Sequence, residues 1–263
     1  MALTLFEIYR YPIKSTRGHA VSEATMDCFG IAGDRRWMVV DEAGDFVTQR
    51  NHAQLALLKA TPTNGGLRLS MSGRDTEVAI PATTDERLPV VVWGDTVSAQ
   101  MADDASNAWL SDQLGMSMRL AYLPDDGQRP VDRDYSDGEL VNFADGFPLL
   151  VITQSALDAL NEKLDAPVPM NRFRPNLVIA GAPAHAEDEW QEIAIGEARV
   201  RLVKPCSRCV IPSIDQDTTE RDSQINRVLA KYRRRDGQIF FGMNALASAG
   251  ERFRVGGEVR VLR

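Results

Sequence analysis

Apolar and polar residues alternate in short runs through the first half of the chain, and the second half mixes that period of two with the longer period of helices. Residues 3–9 predict a strand leading into Tyr11-Pro12. Residues 36–40 and 45–48 flank Asp41-Glu42-Ala43-Gly44, which predicts a hairpin. Runs at 67–71, 77–80, 90–93 and 96–101 predict further strands, with Gly94-Asp95 as the turn between the last two. Residues 103–114 predict a helix capped by Asp103 and Asp104 and stopped at Gly115. In the second half, 149–152 is an apolar run that predicts a buried strand. It enters a helix over 154–164 whose Leu157, Leu160 and Leu164 share a face. A strand is expected at 176–180. Ile193 and Ile195, then Ala198, Val200 and Leu202, alternate on either side of Gly196-Glu197, a hairpin that delivers Cys206 at its far end. Ile225, Val228, Leu229 and Tyr232 mark a last helix, and strands at 240–242 and 258–261 complete the pattern.

This order predicts an α+β, mostly β protein: a small, mostly antiparallel β-barrel decorated by helices and packed with an N-terminal β-rich domain. The expected division is 1–118 and 119–263. A length of 263 residues is enough to fold without disulfide staples. The three cysteines, Cys28, Cys206 and Cys209, are an odd count that argues for a reducing compartment, the cytoplasm by default. Glu7 and Arg10 interrupt the apolar positions of the first 14 residues, so neither a signal peptide nor a membrane span is expected there. The 37 acidic against 30 basic residues give a formal charge of -7, which disfavours nucleic acid and anionic membranes as partners. Arg233-Arg234-Arg235 follows the last helix pattern, where cations suit a C-terminus, and reads as a solvated helix end.

Cys206 ends an alternating strand in the run Lys204-Pro205-Cys206-Ser207-Arg208-Cys209. The flanking cations Lys204 and Arg208 favour a thiolate, the form that attacks or binds metal, whereas the plain alternative is a packed structural thiol. Cys206 and Cys209 lack the second pair that a structural zinc needs. A thioredoxin-type dithiol should open a helix after a parallel strand, and a hairpin precedes this one. His19, His52 and His185 have no ligand spacing, and the phosphate-loop, dinucleotide, esterase and zinc-protease motifs are missing. Three stretches place polar groups at strand ends: Tyr11-Pro12-Ile13-Lys14-Ser15, Gly33-Asp34-Arg35-Arg36-Trp37 and Asn171-Arg172-Phe173-Arg174-Pro175-Asn176. Lys14, Ser15, Arg35 and Arg174 would suit phosphate oxygens if they share a ligand, although each alone reads as a surface ion pair or a turn. Asp215 and Asp217 follow Cys206 closely enough to approach it, or serve as caps before a helix.

The order of Tyr11 to Ser15, Asp34 to Trp37, Phe173 to Asn176, Glu187 to Trp190, Cys206 to Cys209 and Asp215 to Thr218 resembles the MOSC-domain proteins with an N-terminal MOSC β-barrel. That family includes the mitochondrial amidoxime-reducing components and bacterial relatives. The resemblance implies a molybdenum cofactor, a Mo-pyranopterin, with Cys206 as the protein's ligand to the metal. It further implies Lys14, Ser15, Arg35, Arg174 and Asn176 around the cofactor, and Thr153 and Gln154 approaching it from a helix N-terminus, where anions are favoured. The implied reaction is reduction of an N-hydroxylated small molecule, such as an amidoxime or N-hydroxylated nucleobase, to the amine-type product and water. Asp217 is the expected proton-placing group. A ferredoxin-type Cys-x4-Cys-x2-Cys spacing is missing, so no iron–sulfur cluster is expected in this chain and the electrons come from a separate electron-transfer protein. The alternative is a sulfur or molybdenum-cofactor carrier using Cys206.

Overall fold

A computed structural model describes residues 2–263. Three helices, α1 (Asp104–Leu114), α2 (Gln154–Asn161) and α3 (Gln224–Tyr232), lie outside the sheets. Seven strands close a barrel in the order Leu149–Thr153, Leu177–Ala180, Leu3–Arg10, Glu258–Val261, Glu192–Ile195, Ala198–Ser207 and Gln238–Leu246. Closure comes where Leu149 faces Ala245 and Val151 faces Met243. Neighbours run antiparallel except Leu149–Thr153 and Leu177–Ala180. The pleat explains why Leu149–Thr153 is buried throughout. Leu149 and Val151 join Leu5, Leu177 and Met243 inside the barrel, whereas Leu150 and Ile152 pack outside against Leu157 of α2 and Leu229 of α3.

The first half builds a second sheet in the order Trp37–Val40, Arg119–Tyr122, Asp95–Met101 and Arg87–Val92, beside a meander of Lys59–Thr63, Gly66–Met71 and Arg74–Ala79. Here too alternation divides one strand between two cores. Trp37 and Val39 pack with Leu69 and Leu110, while Met38 and Val40 pack with Val90 and Phe143. Helix α1 starts as expected, because the Asp103 carboxylate accepts from Ser106 N at 2.8 Å, and stops at Gly115 with φ 70°.

The two halves are interleaved. Leu3–Arg10 is a barrel strand, and Arg119–Tyr122, just past residue 118, pairs with Trp37–Val40 in the N-terminal sheet. Residues 123–148 then connect the halves with a single bridge, Pro130 to Leu140, among isolated pairings. Other elements depart locally from expectation. Residues 45–48 make only single bridges, because Phe46 N donates to Val91 O and Gly44 O accepts from Val91 N, drawing the segment onto the neighbouring strand. Val92 pairs with Asp95, so the turn residues are Trp93-Gly94. Helix α2 ends at Asn161, whose side chain bonds both the N–H and the C=O of Val168. Arg233 is not a solvated helix end: both its bonds from Nη2 go to Asp188, at 2.7 and 2.9 Å. Arg234–Arg235 is a short strand folded back on Gln238–Leu246. Among the described residues, no helix is long and apolar enough to cross a membrane.

Candidate functional site

The interleaving brings the polar stretches together. Lys14 N bonds Trp37 O at 2.7 Å, laying Tyr11 to Ser15 along the start of Trp37–Val40. Asp34 is fully buried and accepts from Tyr11 N at 2.7 Å, from Asn176 Nδ2 at 3.3 Å and from the Arg35 guanidinium. Asn176 also donates to Tyr9 O, and its oxygen accepts from Arg35 Nη1 at 3.0 Å and Leu150 N at 3.3 Å. Its amide is thereby saturated, so Asn176 positions Arg35 and has no spare group for a ligand. The Arg35 and Arg174 guanidiniums lie 4.4 and 4.3 Å from the centroid of the buried Tyr11 ring. Ser15, Arg35 and Arg174 all have left-handed backbone, with φ of 63°, 46° and 57°. Such strain in non-glycine residues costs about 1–3 kcal/mol each and concentrates at binding sites.

These residues wall a cavity of about 880 Å³ on the seam between the halves. Its lining carries eight cationic side chains against three carboxylates, in a chain whose formal charge is -7. Lys14, 4 % exposed, donates to Phe143 O at 2.8 Å and pairs with Asp145. Burial pushes its ammonium down to about 8 against the pull of that carboxylate. Burial alone would raise Asp145, but Lys14 and Arg50 outweigh it and hold the carboxylate well below its ordinary range. Arg174 donates through Nη1 to Thr16 O at 2.6 Å, while its buried Nη2 has no partner. Burial brings Arg174 down to about 10, which leaves it charged at neutral pH.

Cys206 lies in the same wall, near the end of Ala198–Ser207. The ladder slips between Pro205 and Ser207, opposite Gly242, whose φ is 79° and where a Cβ would meet Val151 O at 2.8 Å. Such a bulge re-aims side chains at a sheet end. Arg208 reaches back, with Nη1 3.2 Å from Cys206 Sγ, Nη2 bonded to Phe173 O and a buried Nε without partner. Lys204 is turned to the Tyr135 ring instead, 4.5 Å from its centroid. Cys209 also lines the wall, and its sulfur accepts from Ile211 N at 3.5 Å; all three cysteines are free.

Lys14, Ser15, Arg35, Arg174, Asn176 and Cys206 thus share one cavity, and three expected residues do not. Thr153 is buried, with its hydroxyl on Glu187 Oε2 at 2.6 Å, so the N-terminus of α2 is closed by the chain's own Glu187, whose carboxyl is pushed up by burial. Gln154 donates to Asp158 along the helix surface. Asp217 is exposed and paired with Arg17, while Asp215 accepts from the backbone N–H of Asp217 and Thr218 and organises that loop. The sequence reading missed Arg50, Trp93, Arg129, Asp145 and Phe147, all in the lining. They come from turns and from residues 123–148, where no periodicity marks a position. The one local signal was Trp93 beside a turn glycine.

Comparison with known proteins gives two family matches: "MOSC N-terminal beta barrel domain" over residues 2–117 and "MOSC domain" over residues 139–261. The chain is 32% identical over 226 residues to mitochondrial amidoxime-reducing component 1 of Mus musculus, covering 82% of this chain and 66% of that protein. It is 31% identical over 227 residues to the protein of the same name from Homo sapiens, covering 82% and 67%. It is 29% identical over 270 residues to a molybdenum cofactor sulfurase of Oryza sativa subsp. japonica, covering 91% of this chain and 32% of that protein. The chain therefore spans about two thirds of the length of the amidoxime-reducing components it matches.

Proposed function

The chain belongs to the MOSC-domain proteins with an N-terminal MOSC β-barrel domain, and on that premise we propose that its seam cavity binds the molybdenum cofactor and reduces N-hydroxylated compounds. The fit rests on the cavity's own donors. Arg174 Nη2 is a buried cationic donor with nothing to bond, and this one observation carries the reading. An anionic group such as a phosphate would complete it, with Arg35 and Lys14 beside it. Cys206 offers the soft donor suited to a metal already held by sulfur, and Arg208 Nη1 lies 3.2 Å from its Sγ. When bound, the cofactor supplies the two-electron chemistry that turns N–OH into N–H and water.

The protein's part is to bind and orient. Asn176 and Asp34 fix Arg35, Thr16 fixes Arg174, and Asp145 keeps Lys14 paired at the cavity wall. Asp217 faces Arg17 outside the cavity and is not in place to deliver the proton for the departing oxygen. The electrons come from a separate protein, and the three free cysteines suit a reducing compartment such as the cytoplasm.

The test is metal analysis by mass spectrometry of protein made in a host that synthesises the cofactor, with Cys206→Ala alongside. About one molybdenum per chain in the wild type, lost in the variant, followed by turnover of an amidoxime with a chemical reductant, is the expected result. Molybdenum in neither protein overturns the reading. Partial exposure of Cys206 favours a second reading, a sulfur or cofactor carrier. It requires a persulfide on Cys206 after exposure to a sulfur donor, visible in the intact mass.

A further inference from the structure

Trp93 is a local contradiction. It occupies the first central position of the two-residue hairpin turn between Arg87–Val92 and Asp95–Met101, with φ 56°. Both favoured two-residue turns need positive φ at that position, which is why Gly, Asn or Asp usually fills it. A tryptophan there strains the backbone, and its side chain remains 46% exposed. The turn gains nothing from it. A local preference overridden for an aromatic residue left nearly half exposed points to a position that serves a site.

The surroundings identify that site. Trp93 lines the seam cavity. Its indole is held in one orientation: Nε1 donates to Asp145 Oδ1 at 3.2 Å, the Arg50 guanidinium lies 4.6 Å from the ring centroid, and the Phe46 ring packs at 5.1 Å, tilted by 51°. Asp145 is the residue that also pairs with Lys14. The indole is therefore a fixed aromatic surface tied to the cofactor-side cluster, with nearly half of its area open.

We propose that Trp93 is the substrate-selecting shelf of the cavity, on which a planar, conjugated N-hydroxylated substrate stacks in preference to a saturated one of similar polarity. This rests on the reductase reading above. The test compares wild type with Trp93→Asn, a change that suits the turn, using benzamidoxime as the planar probe and acetamidoxime as the small alkyl one. Binding is measured by calorimetry on the molybdenum-loaded protein, and turnover with a chemical reductant.

The expected result is that the wild type binds the aryl compound more tightly and that the variant reduces the aryl-over-alkyl preference about tenfold, in Kd and in KM more than in kcat, with molybdenum content retained. An unchanged preference overturns the proposal, as does loss of molybdenum from the variant, which would make Trp93 a cofactor contact. If the loaded wild type reduces neither compound, the reductase reading falls. The calorimetric preference and its loss in the variant still decide whether the shelf exists.

Discussion

Arg174→Met separates what the fold needs from what a ligand needs. Burial lowers the Arg174 guanidinium from its ordinary value to about 10. The folded value lies below the unfolded one, so this group's stabilising contribution is lost as pH falls through about 10. At pH 7 the folded protein carries the whole penalty. At about 1.36 kcal/mol per pH unit, that is about 3 kcal/mol against folding. The Tyr11 contribution is already contained in that shift, and the bond from the charged guanidinium to Thr16 O returns about 2 kcal/mol. Methionine keeps most of the packing and removes the charge, so the cofactor-free variant should be about 1 kcal/mol more stable than wild type. Urea unfolding at neutral pH, with and without pyrophosphate as an anion probe, reads both sides. Pyrophosphate should raise the wild-type midpoint and leave that of Arg174→Met nearly unmoved. If the variant is less stable in the absence of anion, internal contacts already satisfy Arg174 and the argument that its free Nη2 awaits an anion fails.

His185 packs against the rings of Tyr232 and Phe241 with neither ring nitrogen bonded, and burial together with Arg233 pushes it down to about 4. Its contribution is complete above about pH 6.5 and lost as pH falls toward 4, about 2–3 kcal/mol in all; thermal midpoints across that range should fall less steeply in His185→Phe. Asp145→Asn should leave the buried Lys14 near Arg129 and Arg35 without its counter-charge, costing about 1–2 kcal/mol at neutral pH because the exposed Asp145 carboxylate is screened by solvent. The deficit should shrink at about pH 9, where the lysine is neutral, and a deficit independent of pH in urea titrations would count against the pairing.

Much of the barrel was legible because its strands alternate cleanly. The hairpin about Gly196-Glu197 does deliver Cys206 to the cavity, and Asp103 and Gly115 do bound α1. Periodicity identifies a strand but not its partner. Leu3–Arg10 therefore read as the start of an N-terminal domain, although its neighbours in the barrel are Leu177–Ala180 and Glu258–Val261. The three polar stretches were visible as motifs, because each needs its residues in fixed local order. Arg50, Arg129 and Asp145 were not, since their place in the wall depends on how residues 123–148 and the turns fold over the seam. Thr153 and Gln154 show the opposite failure. That helix N-terminus is taken by the chain's own Glu187, 34 residues away, rather than by a ligand in the cavity.

That contrast bears on which positive centres await a ligand. At α2 the backbone and the Thr153 hydroxyl meet the Glu187 carboxyl, which burial pushes up and whose other oxygen has no partner, so that end is occupied by the chain itself. Among the buried arginines, Arg36 has Asp125 and Leu123 O, Arg129 has Asp95 and three carbonyls, and Arg172 has Asp215, although its Nε, like that of Arg208, lacks a partner. Arg174 has one carbonyl for its Nη1 and nothing for its Nη2. A chain with more acidic than basic residues had carboxylates to spare, yet none was set beside that nitrogen. An unpaired buried donor costs about 1–3 kcal/mol, more when charged, so an anion that bonded this nitrogen would return that cost. Arg174 lies in the wall that also holds Cys206, and the anionic, sulfur-bound metal group proposed for the cavity would complete both.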